Sequence, residues 1–250
     1  KNHGYKFSLE GKEFGGYVLF KDKKSSLIMD VGKPPEKKFS DTYQSGPLSF
    51  ELIYNNKKVI CNSGYFQNPK HQLNDISRST ASQSTLIIDN TSVTRLTRNN
   101  SGKKIIKNIF KITDKNIYYK KNSWMVTASH DGYLKEYGLI HKRSIEFDPI
   151  NFLLIGADTL IKKKNYKSVN FEIRFHLYPN TKVSKTLDQN SALINLGDTG
   201  WKFTCGKYLI DIESGLFFGK KNSYIENNNI FISGKTDHNE QVINWRLEKI

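Results

Sequence analysis

Three of the six histidines, His130, His141 and His176, lie in or beside short alternating apolar runs, and Arg143 sits two residues beyond His141. His130 shares the parity of Trp124, Val126 and Ala128, while His141 and Arg143 share that of Leu139, Ile145 and Phe147, so in regular strands these polar groups point the same way as apolar ones. Two chemistries fit such a set. One is a hydrogen-bonded network satisfied inside a core. The other is a polar groove on a concave sheet face, where an arginine fork and imidazoles would meet the hydroxyls and carboxylates of a sugar chain. His176 differs, because Glu172 and Arg174 share its face, which predicts a solvated or groove-lining position. A zinc site built from these histidines would need convergence of distant strands and is not expected. Signatures of nucleotide, zinc-protease or serine-hydrolase chemistry are missing: there is no glycine-rich phosphate loop, no His-Glu-x-x-His and no Gly-x-Ser-x-Gly.

The elements that must position these residues read as strands. Tyr17–Phe20, Ser26–Met29, Leu48–Tyr54, Lys58–Cys61 and Ser84–Ile88 are short β-branched and aromatic runs bounded by Gly, Asn, Asp and Pro. Asn55-Asn56 is a hairpin signal, and Asn99-Asn100-Ser101-Gly102 and Asn227-Asn228-Asn229 read as similar breaks. In Phe171-Glu172-Ile173-Arg174-Phe175-His176-Leu177 the four apolar side chains fall on one face. No amphipathic helix longer than about two turns emerges, and no internal repeat suggests a propeller or solenoid. The expected fold is all-β: an antiparallel β-sandwich, supersandwich-like, of many short strands in one domain over residues 1–250.

The 37% hydrophobic and 12% aromatic content of the 250 residues is that of a folded core, and no apolar run approaches the length of a spanning helix. The opening residues 1–7 lack a charged head followed by an apolar stretch, so no signal peptide is expected there, and the chain starts in mid-pattern as a fragment or mature product would. Cys61 and Cys205 allow at most one disulfide and read as buried small hydrophobes. A net charge of +15 invites a polyanion, although Lys and Asn also crowd loops such as 162–165, which reads equally as compositional bias. Nucleic acid is the obvious rival partner, but no zinc-finger spacing, RNA-binding aromatic signature or basic amphipathic helix accompanies the charge.

Seven stretches in order resemble the C-terminal region of heparinase II/III-like proteins, across about residues 14–250. They are Leu27–Gly32, Tyr43–Glu51, Arg78–Leu86, His130–Tyr133, Gly138–Arg143, Arg174–Pro179 and Asn244–Leu247. The resemblance implies a β-sandwich that works beside an N-terminal α/α toroid not present in this chain, in a lyase that cleaves acidic, uronate-containing polysaccharide by β-elimination. It implies a bacterial periplasm or cell envelope, no cofactor, and catalytic Tyr and Asn, His or Glu groups on the toroid, so that the chain alone is expected to be inactive. The sandwich of this family typically adds a His where this sequence has Gln44, and Gln cannot exchange a proton near neutral pH. Some relatives hold zinc through an Asp and a His where this chain has Asn62 and Gln83, so no metal is expected. The resemblance thus leaves two readings open. In one, Gln44, His130, His141, Arg143 and His176 form the cleft wall or domain interface of a lyase; in the other, the chain is a non-catalytic carbohydrate-binding or cell-envelope module.

Overall fold

The computed structural model describes residues 12–250 apart from 121–122 and 165–166; the opening residues 1–7 and Asn165, on which two of the readings above fall, lie outside the described residues. Five antiparallel strands come first, paired in chain order: β1 (Lys12–Phe14), β2 (Tyr17–Lys21), β3 (Ser25–Asp30), β4 (Phe50–Tyr54) and β5 (Lys57–Ile60). The β4–β5 turn is Asn55-Asn56, with φ of 46° and 61°, the paired left-handed geometry that matches strand twist and that Asn tolerates. The expected strand at Leu48 begins instead at Phe50, because Leu48 itself has φ 61° and turns the chain.

A short helix α1 (Gln72–Ser77) follows, then β6 (Leu86–Ile88), the small hairpin β7 (Leu96–Arg98) and β8 (Lys104–Ile106), β9 (Ile112–Lys120), β10 (Ser123–His130) and a single-turn helix α2 (Leu134–Tyr137). The long strands β11 (Leu139–Asp148), β12 (Leu153–Lys162) and β13 (Asn170–His176) lead to β14 (Lys182–Lys185), β15 (Ser191–Asn195), β16 (Gly200–Cys205), β17 (Ile210–Lys220), β18 (Ser223–Lys235) and β19 (Glu240–Lys249). Among the described residues they form an eight-stranded sheet, β14-β15-β16-β19-β12-β11-β10-β9, and a four-stranded one, β17-β18-β13-β6. Among the described residues the named strands pair antiparallel throughout, as the antiparallel-sandwich reading expects.

One core joins the three large sheets. The alternating runs of β2, β3 and β4 bury Val18, Phe20, Leu27, Met29, Phe50 and Leu52, which meet residues of the eight-stranded sheet: Phe20 stacks on Trp124 with ring centroids 5.1 Å apart, and Phe50 on Trp245 at 5.5 Å. Phe175 of β13 meets Trp245 edge-on at 4.9 Å. Each such ring stabilises the fold by about 1.5–3 kcal/mol through apolar burial. Gly156 of β12 is cross-strand from Trp245, and a Cβ there would lie 2.1 Å from the indole, so only glycine admits this ring.

The triplet Asn227-Asn228-Asn229 is not the break expected from its composition. It lies inside β18, opposite Gly215 of β17, and the turn falls at Lys221-Asn222. The missing side chain at Gly215 makes room for the amides, and Asn227 Nδ2 donates to the Leu177 carbonyl at 2.8 Å. Both cysteines are buried free thiols.

Candidate functional site

The outer face of the five-stranded sheet is the first component of a cleft of about 260 Å³. Strand alternation puts Val18, Leu27, Met29 and Phe50 inside and sends Tyr17, Ile28, Asp30 and Glu51 outward; Tyr17 and Asp30 are direct cross-strand partners, as are Ile28 and Glu51. The segment from Val31 to Ser49 then folds back, bringing Gln44, Gly46 and Ser49 over this face, while the turns after β5 and before β6 add Asn62, Gly64 and Gln83. A Cβ at Gly46 would come within 2.9 Å of Gln83 Cγ, so the glycine is what lets the Gln44 turn close on the Gln83 turn. Gln44, Asn62 and Gln83, far apart in sequence, therefore share one cleft.

Its polar groups are partly engaged. Glu51 accepts from Lys58 Nζ at 2.9 Å and from the Asn62 backbone N–H at 3.0 Å. Asn62 Oδ1 accepts the Ser84 N–H at 2.8 Å, and Gln83 Nε2 reaches the Ser77 carbonyl at 3.4 Å. Asp30 Oδ1 accepts the Gly32 N–H at 2.9 Å. Burial pushes the Asp30 carboxyl up to about 7, the Gly32 bond opposing it only in part. Burial, then the charges of Asp30 and Glu51, raise the Tyr17 phenol; burial, then Asp30 and Tyr17, raise that of Tyr43. Zinc does not fit the donors at the family positions: Asn62 and Gln83 offer neutral amides, and that of Asn62 already accepts from the backbone. Among the described residues no group of three or more His, Cys, Asp or Glu side chains could hold a metal ion.

The four residues singled out as His130, His141, Arg143 and His176 lie behind this cleft, not on it, and all are buried. Asp158 of β12 is their centre. Arg143 donates Nε to Asp158 Oδ1 at 2.8 Å and Nη2 to Oδ2 at 3.0 Å, His141 Nε2 donates to Oδ1 at 2.7 Å, and Trp245 Nε1 to Oδ2 at 2.9 Å. This bonding settles the tautomers: His141 Nδ1 accepts from His130 Nε2 at 3.1 Å, and His130 Nδ1 accepts the Gly132 N–H at 3.2 Å, with both rings neutral. Burial alone would raise the Asp158 carboxyl, but the Arg143 guanidinium and the His141 bond hold it well below the usual range. Burial holds the His130 and His141 imidazoles below theirs, His141 against the pull of Asp158.

The remaining guanidinium nitrogen reaches the cleft walls from behind. Arg143 Nη1 donates to the carbonyls of Leu48 at 2.9 Å and Ser84 at 2.6 Å, the residues next to the cleft-lining Ser49 and Gln83. Leu48 has left-handed φ, so this bond steadies a strained turn. His176 is buried, not the solvated group its strand parity predicts, because the 61–64 and 81–84 segments fold over the end of β13. Its Nε2 donates to the Ala81 carbonyl at 3.0 Å and its Nδ1 accepts from Ser63 Oγ at 3.1 Å; burial lowers its pKa to about 4. Ser84 Oγ donates to the Cys61 carbonyl at 2.7 Å and accepts the His176 N–H at 2.9 Å, tying the Asn62 and Gln83 turns together. Arg78, also buried, holds the Gln44 turn through the Tyr43 carbonyl at 3.0 Å and the Ser40 carbonyl at 2.8 Å.

Asp158, Asp30, Glu51 and Arg78 were not singled out by sequence reasoning. Asp158 carried a signal, since it shares parity with the buried Leu154 and Leu160 in an apolar strand. Asp30, Glu51 and Arg78 stood inside resembling stretches, but nothing in the residue types separated them from other surface charges.

The fold and sequence both have relatives. A heparan sulfate lyase, HepC, from Pedobacter heparinus superposes with a TM-score of 0.77 at 16% identity, covering 96% of this chain and 36% of that one. A heparinase III structure gives 0.73 at 15% identity, covering 97% and 36%. This chain thus spans about a third of the length of those structures. No curated protein matches its sequence. The family described as "Heparinase II/III-like, C-terminal" matches residues 10–246, and the chain belongs to that family.

Proposed function

We propose that this chain is the sandwich module of a polysaccharide lyase, and that its Gln44 cleft forms one wall of a site for acidic, uronate-containing polysaccharide. The observation that carries this reading is the convergence of Gln44, Asn62 and Gln83, three positions tens of residues apart, on one polar cleft with Asp30, Glu51 and Tyr17. The chemistry is β-elimination. A uronate carboxylate is neutralised, a base removes the proton on the adjacent ring carbon, and the 4-linked oxygen leaves with acid assistance. Gln44 and the other amides would orient hydroxyl and carboxylate groups, while the groups that move the main proton would come from a toroid domain of the longer protein. His130, His141, Arg143 and His176 act in this reading as positioning residues, since each touches the backbone or a partner behind the cleft and none faces it. A bacterial periplasm or envelope location belongs to the same reading.

The test is an assay of the full-length protein against a panel of uronate polysaccharides for the ultraviolet absorbance of the unsaturated product. Turnover on any member is the expected result; none on all members, with the protein folded, would reject the lyase reading. Gln44 favours the second reading, a non-catalytic glycan-binding module, because an amide cannot exchange the proton that a histidine would. Binding to uronate oligosaccharides without unsaturated product would select it.

A further inference from the structure

Two carboxyl groups line the Gln44 cleft, and no Lys, Arg or His side chain among the described residues lines it with them. Left ionised together, Asp30 and Glu51 would repel an acidic sugar. They differ in their surroundings. Glu51 on β4 has Lys58 of β5 on one oxygen and the Asn62 N–H on the other, so its negative charge is compensated. Asp30, at the end of β3, has one hydrogen bond on its carboxyl among the described residues, from the Gly32 N–H to Oδ1. The groups that face it are the cross-strand phenol of Tyr17 on β2, the phenol of Tyr43 on the segment folded over the cleft, and Glu51 beyond Ile28. Among the described residues none of these carries positive charge. Burial, opposed only in part by that one donor, makes the neutral acid the favoured form on the acid side of about pH 7, and a neutral acid has an O–H to give.

We propose that Asp30 binds the acidic glycan as a hydrogen-bond donor, its carboxylic O–H and the Gln44 amide together holding an anionic oxygen, carboxylate or sulfate, of one sugar unit. This rests on the reading of the cleft as a glycan site. The cleft, at about 260 Å³, is smaller than pockets for larger ligands and suits a single sugar unit or its charged substituent. Bonds from a neutral donor to an anionic acceptor are among the stronger ones in proteins. Once Asp30 loses its proton, donor becomes like charge and the subsite turns from holding the anion to repelling it. The proton is held below about pH 7 and lost above, so glycan affinity is high on the acid side and falls through neutrality.

Asn at this position is the informative replacement, since it is neutral at every pH and keeps an N–H donor in nearly the same place. Calorimetric titration of the full-length protein and its Asp30→Asn variant would use sulfated heparan sulfate and unsulfated alginate oligosaccharides, at about pH 5.5 and about pH 8.5. The wild type should lose about tenfold or more in affinity across that interval, the scale of one hydrogen bond to a charged group. Asp30→Asn should bind at the higher pH as the wild type does at the lower. A step for both glycans identifies the carboxylate as the bound group, and a step for heparan sulfate alone identifies the sulfate. Wild-type affinity equal at both pH values, or Asp30→Asn weak at both while folded, overturns the proposal and leaves the glycan site standing. Absence of binding by every oligosaccharide at both pH values rejects the glycan site and the proposal with it. Carbon-13 titration of the Asp30 carboxyl gives a second measurement: a midpoint near 7 is expected, and one at the ordinary carboxylate value overturns the proposal.

Discussion

Arg143→Ala is the perturbation that most directly separates a strut behind the cleft from a wall of it. The guanidinium makes two bonds to Asp158, at 2.8 and 3.0 Å, and donates to the Leu48 and Ser84 carbonyls, with the whole side chain and Asp158 fully buried. Truncation leaves a buried carboxylate with only His141 and Trp245 as donors and two carbonyls without a partner. Removing one member of such a pair costs about 3–5 kcal/mol, because the other charge stays desolvated. For a chain of this size each kcal/mol lowers the melting temperature by roughly 2–4 °C, which puts the loss at roughly 6–20 °C. The assay is calorimetric or circular-dichroism melting at neutral pH beside glycan binding well below the new midpoint. A strut predicts a large loss of thermal stability with glycan affinity reduced far less, and Arg143→Ala with Asp158→Leu should recover part of the loss by removing the stranded charge. A melting temperature within about 2 °C of the wild type, with glycan affinity abolished, would refute the reasoning.

Acid should destabilise the fold through its neutral histidines: His176 titrates near 4 in the fold against about 6.5 unfolded, so its contribution, on the order of 3 kcal/mol, is complete above pH 6.5 and lost as pH falls toward 4. Urea midpoints across that interval should flatten in His176→Phe relative to the wild type, and an unchanged slope would contradict the assignment. Asp30→Asn should raise the urea midpoint at pH 8, since a carboxyl whose folded pKa is raised stabilises only while protonated and loses that contribution as pH rises through about 7. Gly156→Ala should cost about 1–3 kcal/mol in chemical denaturation, because its Cβ would lie 2.1 Å from the Trp245 indole. The purified 250-residue chain should give no unsaturated product from uronate polysaccharides and should carry no stoichiometric zinc by elemental analysis; unsaturated product would displace the roles proposed for a toroid domain, and bound zinc the reading of Asn62 and Gln83.

Local alternation was enough to read the fold class. Runs such as Phe171–Leu177 declare their buried face because successive strand residues point to opposite sides, and the Asn55-Asn56 turn declares itself because few residues tolerate two left-handed conformations in a row. The family was legible for a related reason: the order of short stretches along the chain survives even where no one of them is specific. The turn preference of asparagine misled at Asn227–Asn229, where space left by Gly215 on the neighbouring strand outweighs it, and alternation misled at His176, where two distant turns cover a face that local pattern leaves open. Both failures have one cause. Strand parity says which side of a sheet a residue takes, but which other segment arrives on that side is decided by non-local packing. The tertiary structure alone therefore placed Arg143 and His141 around Asp158, turned the sequence's polar set into struts for Leu48, Ala81 and Ser84, and brought Asp30 into the cleft that Gln44 lines, where burial raises the carboxyl of an ordinary-looking aspartate.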